Sequence, residues 1–292
     1  MTAANILVFG LGYSGTAIAT LARTHGCSVT ATSRTPERGP SPNGVSLIRF
    51  ADAARAVREA THIVSTVGPE GGRDPVLARF GTEIAQAPAL RWAAYISTIG
   101  VYGDRGGAWV DEDAAVDPTS PRARDRIAVE QAWASLGSRI AVELCRAGGI
   151  YGPGRSALDE VRSGRARRVD KPGHRFNRIH RDDIALAVLA AALRESAPGV
   201  RVLHLVDDEP AESAAVIAEA ASLLDAPLPP LVPFADAAAG MSPMGRAFWA
   251  GSRLVANAKT KAALGIAWRY PTYREGLRAI LAEEGRDRTS QQ

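Results

Sequence analysis

The chain has 292 residues, 46% apolar and 23% charged; this is ordinary for a soluble globular protein and long enough for one large domain or a nucleotide domain with a smaller partner. No apolar run approaches the roughly 20 residues of a membrane span, and the opening "MTAANILVFGLG" lacks the basic stretch of a signal peptide, so the sequence reads as cytoplasmic. A formal net charge of +4, carried by arginine with lysine only at 171, 259 and 261, suits anionic ligands; with no helix-turn-helix, aromatic platform or basic helix, nucleic acid is not expected.

Taken in order, the elements alternate. "NILVFG" (5–10) reads as a strand and "SGTAIATLARTHG" (14–26) as an alanine-rich helix that stops at Gly26. "SVTATS" (28–33) and "GVSLIRF" (44–50) are further strands, the second followed by the helical "DAARAVREA". "THIVSTVG" (61–68) precedes a helix within 74–86, and "RWAAYIST" (91–98) precedes one within 124–136. "RIAVELCRAG" (139–148) is the sixth strand. Such alternation implies βαβ crossovers and a doubly wound parallel α/β sheet of Rossmann type. Beyond residue 150 the pattern loosens into a glycine-rich and basic stretch, in which "RSGRARR" (162–168) reads as a solvated face. "RDDIALAVLAAALRES" (181–196) is a helix that Asp182 or Asp183 can cap. "RVLHLVDD" (201–208) is a strand, "SAAVIAEAASLLDAP" a helix, "PLPPLVPF" a loop, and "TYREGLRAILAEE" a terminal helix before a disordered "GRDRTSQQ". Cys27 and Cys145, beside apolar runs, read as buried reduced thiols without metal-ligand spacing, and no metal site is expected.

"VFGLGYSG" places Gly10, Gly12 and Gly15 in the order G-x-G-x-x-G between the first strand and the first helix. The first glycine permits the tight turn, the second lets a pyrophosphate approach the backbone, and the third lets helix and strand pack closely. The helix N-terminus attracts the negative charge. The second strand ends in Ser33 and Arg34, with Arg38 nearby, where an NAD site carries an acid. Arginine there suits the 2′-phosphate of NADP(H), so NADP(H) is expected over NAD(H).

Together these residues resemble the short-chain dehydrogenase/reductase superfamily, in its extended branch of NAD-dependent epimerases and dehydratases. "STIGVYGD" (97–104) resembles the family's turn after the fifth strand. "CRAGGIYGPGR" (145–155) resembles the segment that closes over the nicotinamide, and "RIHRDDIALAV" and "LHLVDDEPAESAAVIAEAASLL" resemble the later strand–helix pairs. The resemblance spans roughly residues 5 to 280 and implies a Rossmann domain over 1–150, to which 178–206 returns. A smaller substrate domain then takes 151–177 and 207–292. It implies cofactor contacts from Gly10, Gly12, Tyr13, Ser14 and Gly15, from Thr66, Val67 and Gly68, and from Thr98, Arg126 and Ile150. Arg155, Arg175, Arg178 and His180 are candidates for substrate contacts. Relatives pair through the helices after strands four and five, so a monomer or homodimer is expected.

The family's reaction uses a serine or threonine four residues before the tyrosine of V-Y-G, which maps to Thr98 with Tyr102 as marker, and a Y-x-x-x-K pair. Counting back from Glu130 puts Arg122 at the tyrosine position and Arg126 at the lysine position. None of Tyr13, Tyr95, Tyr102, Tyr151, Tyr270 and Tyr273 has lysine four residues later, so the pair is absent and the chain resembles the superfamily's atypical members. Arginine stays protonated and cannot replace the tyrosine as a base, whereas Arg126 can still donate to a ribose. An enzyme would need another acid, and Tyr102, Tyr151 and His180 are the candidates. Two readings stay open: an NADP(H)-dependent reductase- or epimerase-like enzyme acting on a carbonyl or nucleotide-sugar substrate, or a non-catalytic NADP-binding sensor or regulator.

Overall fold

The computed structural model describes residues 4–36 and 41–290. Its strands are β1 (Asn5–Phe9), β2 (Ser28–Ser33), β3 (Ser46–Arg49), β4 (His62–Ser65), β5 (Trp92–Thr98), β6 (Trp109–Val110), β7 (Ala141–Ala147), β8 (Gly149–Tyr151), β9 (Arg168–Asp170), β10 (Arg178–His180), β11 (Gly199–Leu205), β12 (Leu231–Pro233) and β13 (Leu254–Val255). Its helices are α1 (Tyr13–Thr24), α2 (Ala54–Glu59), α3 (Pro75–Gln86), α4 (Pro121–Ala134), α5 (Ala157–Arg162), α6 (Arg181–Leu193), α7 (Ser213–Leu223), α8 (Phe234–Ala239), α9 (Pro243–Ala250), α10 (Ala258–Leu264) and α11 (Tyr273–Ser290).

Seven strands form one parallel sheet in the order β11-β7-β5-β4-β1-β2-β3. The order reverses between β1 and β4, which is where an open α/β sheet leaves a crevice at the carboxyl ends of its strands. Both faces are covered, so the strands are apolar on successive residues. Ile6 and Val8 join Ile18, Ala19, Ile184 and Val188 of α1 and α6 on one side. Leu7 and Phe9 join Val57, Phe80, Ile84 and Trp133 of α2, α3 and α4 on the other. The expected Rossmann architecture is therefore present.

The segments after β7 split their work. β11 returns to the main sheet beside β7. The short pairs β8–β10, β9–β12 and β6–β13 lie outside it. A separate apolar cluster gathers Tyr151, Leu158, Val216, Tyr273, Leu277 and Ile280 from β8, α5, α7 and α11. Cys27 and Cys145 are buried and free. Among the described residues no helix is long and apolar enough to cross a membrane.

The structure corrects several local expectations. Helix α4 starts at Pro121 rather than within 124–136, because Ser120 accepts from Ala123 N (3.2 Å) and Pro121 takes the first helical position. Part of the proline-rich "PLPPLVPF" forms β12 against β9, as an edge strand tolerates proline. The expected disordered tail is helical through Ser290 as an extension of α11. Neither Asp182 nor Asp183 caps α6. The His180 ring does so, with Nδ1 accepting from Asp182 N (3.2 Å). The buried Asp183 carboxylate instead accepts from Arg269 N (2.6 Å) and Tyr270 N (3.1 Å).

Candidate functional site

The glycine loop takes its shape from sterics at two of its three glycines. Gly10 has φ +90°, and a Cβ there would meet Thr66 Oγ1 at 2.7 Å. A Cβ on Gly15 would lie 2.0 Å from the carbonyl oxygen of Gly10, so only glycine lets α1 sit this close to β1. At Gly12 nothing lies within 4 Å of a Cβ, and the backbone is open to an approaching group. Gly12 is the N-cap of α1 and makes no side-chain cap, and the first turn holds no acid. Positive helix-end potential thus meets open space, the arrangement that binds phosphate. Ser14 is buried in that first turn. Thr66 fixes the floor by donating to Gly10 O (2.8 Å), and Thr32 Oγ1 accepts from Gly10 N (3.2 Å).

At the end of β2, Ser33 Oγ accepts from Thr35 N (3.1 Å). Arg34 stands in solvent with its side chain 87% exposed, and its Nη1 is 3.7 Å from Glu70 Oε1. Arg38 lies outside the described residues. Val67 packs toward Gly10 from the end of β4, and Gly68 faces Arg126, whose Nη2 would be 3.2 Å from a Cβ there.

Arg126 is half-buried at the ends of β4 and β5. Its Nη1 donates to Tyr95 Oη (2.6 Å) and Ile96 O (3.2 Å). Burial pushes the Tyr95 phenol up to about 12 against the pull of that charge. Arg122, one helical turn earlier, is exposed. Thr98 Oγ1 accepts from Gly100 N (3.1 Å) and starts the short turn 99–102. Glycine loop, β4 end, Thr98 and Arg126 therefore belong to the carboxyl ends of neighbouring strands. Ile150, on β8, contributes to a separate cavity.

The three candidate acids are all buried. Tyr102 is fully buried in a polar chain. Ser97 donates to Glu130 (2.5 Å), and Glu130 pairs with Arg146 (2.7 Å), both side chains being more than nine-tenths buried. Arg146 Nη1 donates to Tyr102 Oη (2.7 Å), which lies 2.5 Å from His204 Nε2. His204 Nδ1 is 2.7 Å from Ala256 O. Because a carbonyl only accepts, Nδ1 carries the proton and Nε2 accepts from the phenol. Burial raises the Tyr102 phenol and lowers the His204 imidazole. Tyr151 presses its hydroxyl on α11, where a Cβ on Gly276 would be 2.1 Å away, and donates to Thr272 O (3.4 Å). Burial, with Asp207 second, raises its phenol well above the usual range. His180 is 1% exposed, and burial lowers it to about 4.

A cavity of about 420 Å³ opens beside β8, lined among others by Tyr151, Arg155, Arg178, Val216 and Tyr273. Arg178 Nη1 donates to Phe176 O and Ala211 O, both at 3.0 Å. Arg175 is exposed. Two buried polar groups at this end escaped the sequence reading: the Tyr273 hydroxyl and the Asp207 carboxylate. Burial raises Asp207 well above the carboxylate range, while Arg178 pulls it back. The Glu130–Arg146–His204 chain also went unread; its one local signal was the presence of Glu143 and Arg146 inside the otherwise apolar "AVELCRA". Among the described residues no group of three or more His, Cys, Asp or Glu side chains could hold a metal.

No family model and no curated protein matches the chain. Solved structures do. MoeE5 in complex with UDP-glucuronic acid and NAD has 19% identity and a TM-score of 0.75, over 97% of this chain and 99% of that one. The human epimerase family protein SDR39U1 with NADPH has 21% identity and a TM-score of 0.74, over 94% and 98%. At these identities the likeness is one of fold, and it is the Rossmann fold of the epimerases. A functionally unknown conserved protein from Silicibacter pomeroyi has 38% identity and a TM-score of 0.89, over 96% of this chain and 99% of that one. With that identity sustained end to end, the chain belongs to the family of the Silicibacter pomeroyi protein and folds as the epimerases do.

Proposed function

We propose that the chain binds a nicotinamide dinucleotide, NADP(H) in preference to NAD(H), in the crevice between β1 and β4. It acts there as a reductase- or epimerase-like protein on a small carbonyl or nucleotide-sugar substrate. The glycine loop carries this reading: Gly15 allows the close helix–strand contact, and Gly12 leaves the positive end of α1 open. The cofactor would supply hydride transfer. The chain would supply a phosphate cradle from Gly10 to Gly15, a 2′-phosphate partner in Arg34, and ribose donors in Thr98 and Arg126. MoeE5 with NAD and SDR39U1 with NADPH, which share the fold, support the choice of ligand class. The cavity beside β8 suits the substrate, being within the range of about 300–1,000 Å³ that small-molecule sites occupy.

Thermal unfolding with NADPH, NADP⁺, NADH and NAD⁺ tests the binding. A ligand at ~100 times its dissociation constant adds about 2.7 kcal/mol to the folded state. The expected result is a clear rise with NADPH and a smaller one with NADH; no rise with any of the four refutes the reading.

A second reading is favoured by the buried acids. Tyr102, Tyr151 and His180 are each buried and committed to hydrogen bonds within the protein. Arg122 cannot accept a proton at ordinary pH. A protein that binds NADP(H) without turnover, as a sensor or regulator, fits that arrangement. Oxidation of NADPH across a panel of aldehydes, ketones and nucleotide sugars separates the two: turnover supports the enzyme, and tight binding without turnover supports the sensor.

A further inference from the structure

Tyr13 follows the second glycine of the loop, and two segments distant in sequence meet on its ring. The guanidinium carbon of Arg181, the first residue of α6, lies 4.9 Å from the ring centroid. That of Arg155, from the turn closed by the Gly152–Arg155 bridge, lies 5.6 Å from it. The phenol donates to Pro153 O (3.1 Å) and ties this turn to the first turn of α1. Gly152 makes the approach possible, since a Cβ there would lie 2.7 Å from Tyr13 Oη and 3.1 Å from Arg181 Cγ.

Two cations gathered on one aromatic ring leave a concentration of positive charge that an anion beside them would relieve. Asp182 answers part of this charge, 3.3 Å from Arg181 Nε. Arg155 is exposed and also lines the neighbouring cavity. The remaining positive charge stands next to the open N-terminus of α1, which has no acid in its first turn. Guanidinium groups match phosphate oxygens with paired donors.

We infer that Arg155 and Arg181, gathered by Tyr13, bind a diphosphate from the wall opposite the glycine loop, and that this diphosphate is the pyrophosphate of the dinucleotide. The inference rests on the dinucleotide reading above and extends it to residues far away in sequence. Dinucleotide binding then fastens the turn 152–155 and the start of α6 to the phosphate loop. The ligand thereby joins the cofactor crevice to the cavity that Arg155 borders.

The test is calorimetric titration of NADPH and of ADP-ribose, which keeps the pyrophosphate but lacks the nicotinamide and the 2′-phosphate. The proteins are wild type, Arg155→Ala, Arg181→Ala and Arg181→Lys, each at several salt concentrations. Both alanine variants should bind both ligands roughly tenfold more weakly and with a shallower dependence of affinity on salt. Arg181→Lys should recover part of the loss, because it keeps the charge. Equal unfolding temperatures without ligand would show that the variants are folded; if one is not, the Lys variant and the salt dependence carry the test. Wild-type affinity for both ligands in the alanine variants overturns the inference and returns Arg155 to an anion in the cavity. A loss for NADPH alone also overturns it, since the arginines would then not serve the pyrophosphate. A wild-type protein that binds neither ligand refutes the dinucleotide reading itself.

Discussion

At the scale of single residues, Arg34 and Glu70 carry the clearest local prediction. The two side chains are 87% and 69% exposed and 3.7 Å apart, so their attraction is worth at most about 1 kcal/mol and is easily exchanged for a better partner. A 2′-phosphate is such a partner for Arg34, while Glu70 would repel it. Arg34→Ala should weaken NADPH about tenfold, or ~1.4 kcal/mol, and leave NADH unchanged. Glu70→Gln should tighten NADPH severalfold. Titration of both variants with both cofactors checks this, and a Glu70→Gln variant with weaker NADPH binding would refute the assigned role. Arg34 was legible in the sequence because its position follows from where a strand ends. Glu70 was not, because the pairing depends on how the turn after β4 lies beside the end of β2.

At the scale of elements, a buried chain of charges holds the strands and helices behind the crevice in place. Glu130 sits on α4, Arg146 on β7, Tyr102 in the turn after β5 and His204 on β11. Their side chains join in one line of hydrogen bonds. Removing one member of a buried ion pair strands the other charge and costs about 3–5 kcal/mol, more than the pair itself contributes. Arg146→Met should therefore destabilise the protein by that amount in urea unfolding. The double variant Glu130→Leu/Arg146→Met should be less destabilised than the sum of the two single changes. A simple sum would mean that the two side chains do not act as a pair. Tyr102 and Glu130 could be picked out in the sequence as markers of a pattern, but their work could not. The sequence offers Tyr102 as an acid, whereas packing turns its hydroxyl toward Arg146 and His204. The same holds for Tyr151, whose place against Gly276 depends on α11 arriving from more than a hundred residues away.

At the scale of the whole molecule, burial of neutral histidines makes stability depend on pH. His62 on β4 is 2% exposed, and burial first, then the charge of Arg91, lowers it from 6.5 to about 4. The folded state thus binds the proton less well than the unfolded chain. Its contribution is present above pH 6.5 and is lost as pH falls from 6.5 toward 4. Between pH 7.5 and 4.5 wild type should lose about 2–3 kcal/mol more stability than His62→Leu. Urea unfolding at both pH values measures the difference, and parallel losses would show that His62 titrates alike in both states. Taking this difference removes other groups from the result, including His180, which shifts the same way, and Asp183, which burial raises to about 6.

The alternation of apolar runs with helical stretches determined by itself that β1 to β5 and β7 would form a parallel sheet, because a strand covered on both faces must be apolar throughout. The spacing of Gly10, Gly12 and Gly15 likewise determined the loop, since the close contact of Gly15 with Gly10 lies within six consecutive residues. Short segments such as β12 and α5 were not legible, for they bury too few residues to impose a period and exist only because β9, α7 and α11 lie beside them. Tertiary structure alone decided the fate of the three candidate acids, the meeting of Arg155 and Arg181 on Tyr13, and the burial of Asp207. A side chain's type is written locally, but its partners and its access to water are set by chain segments that reach it only after folding.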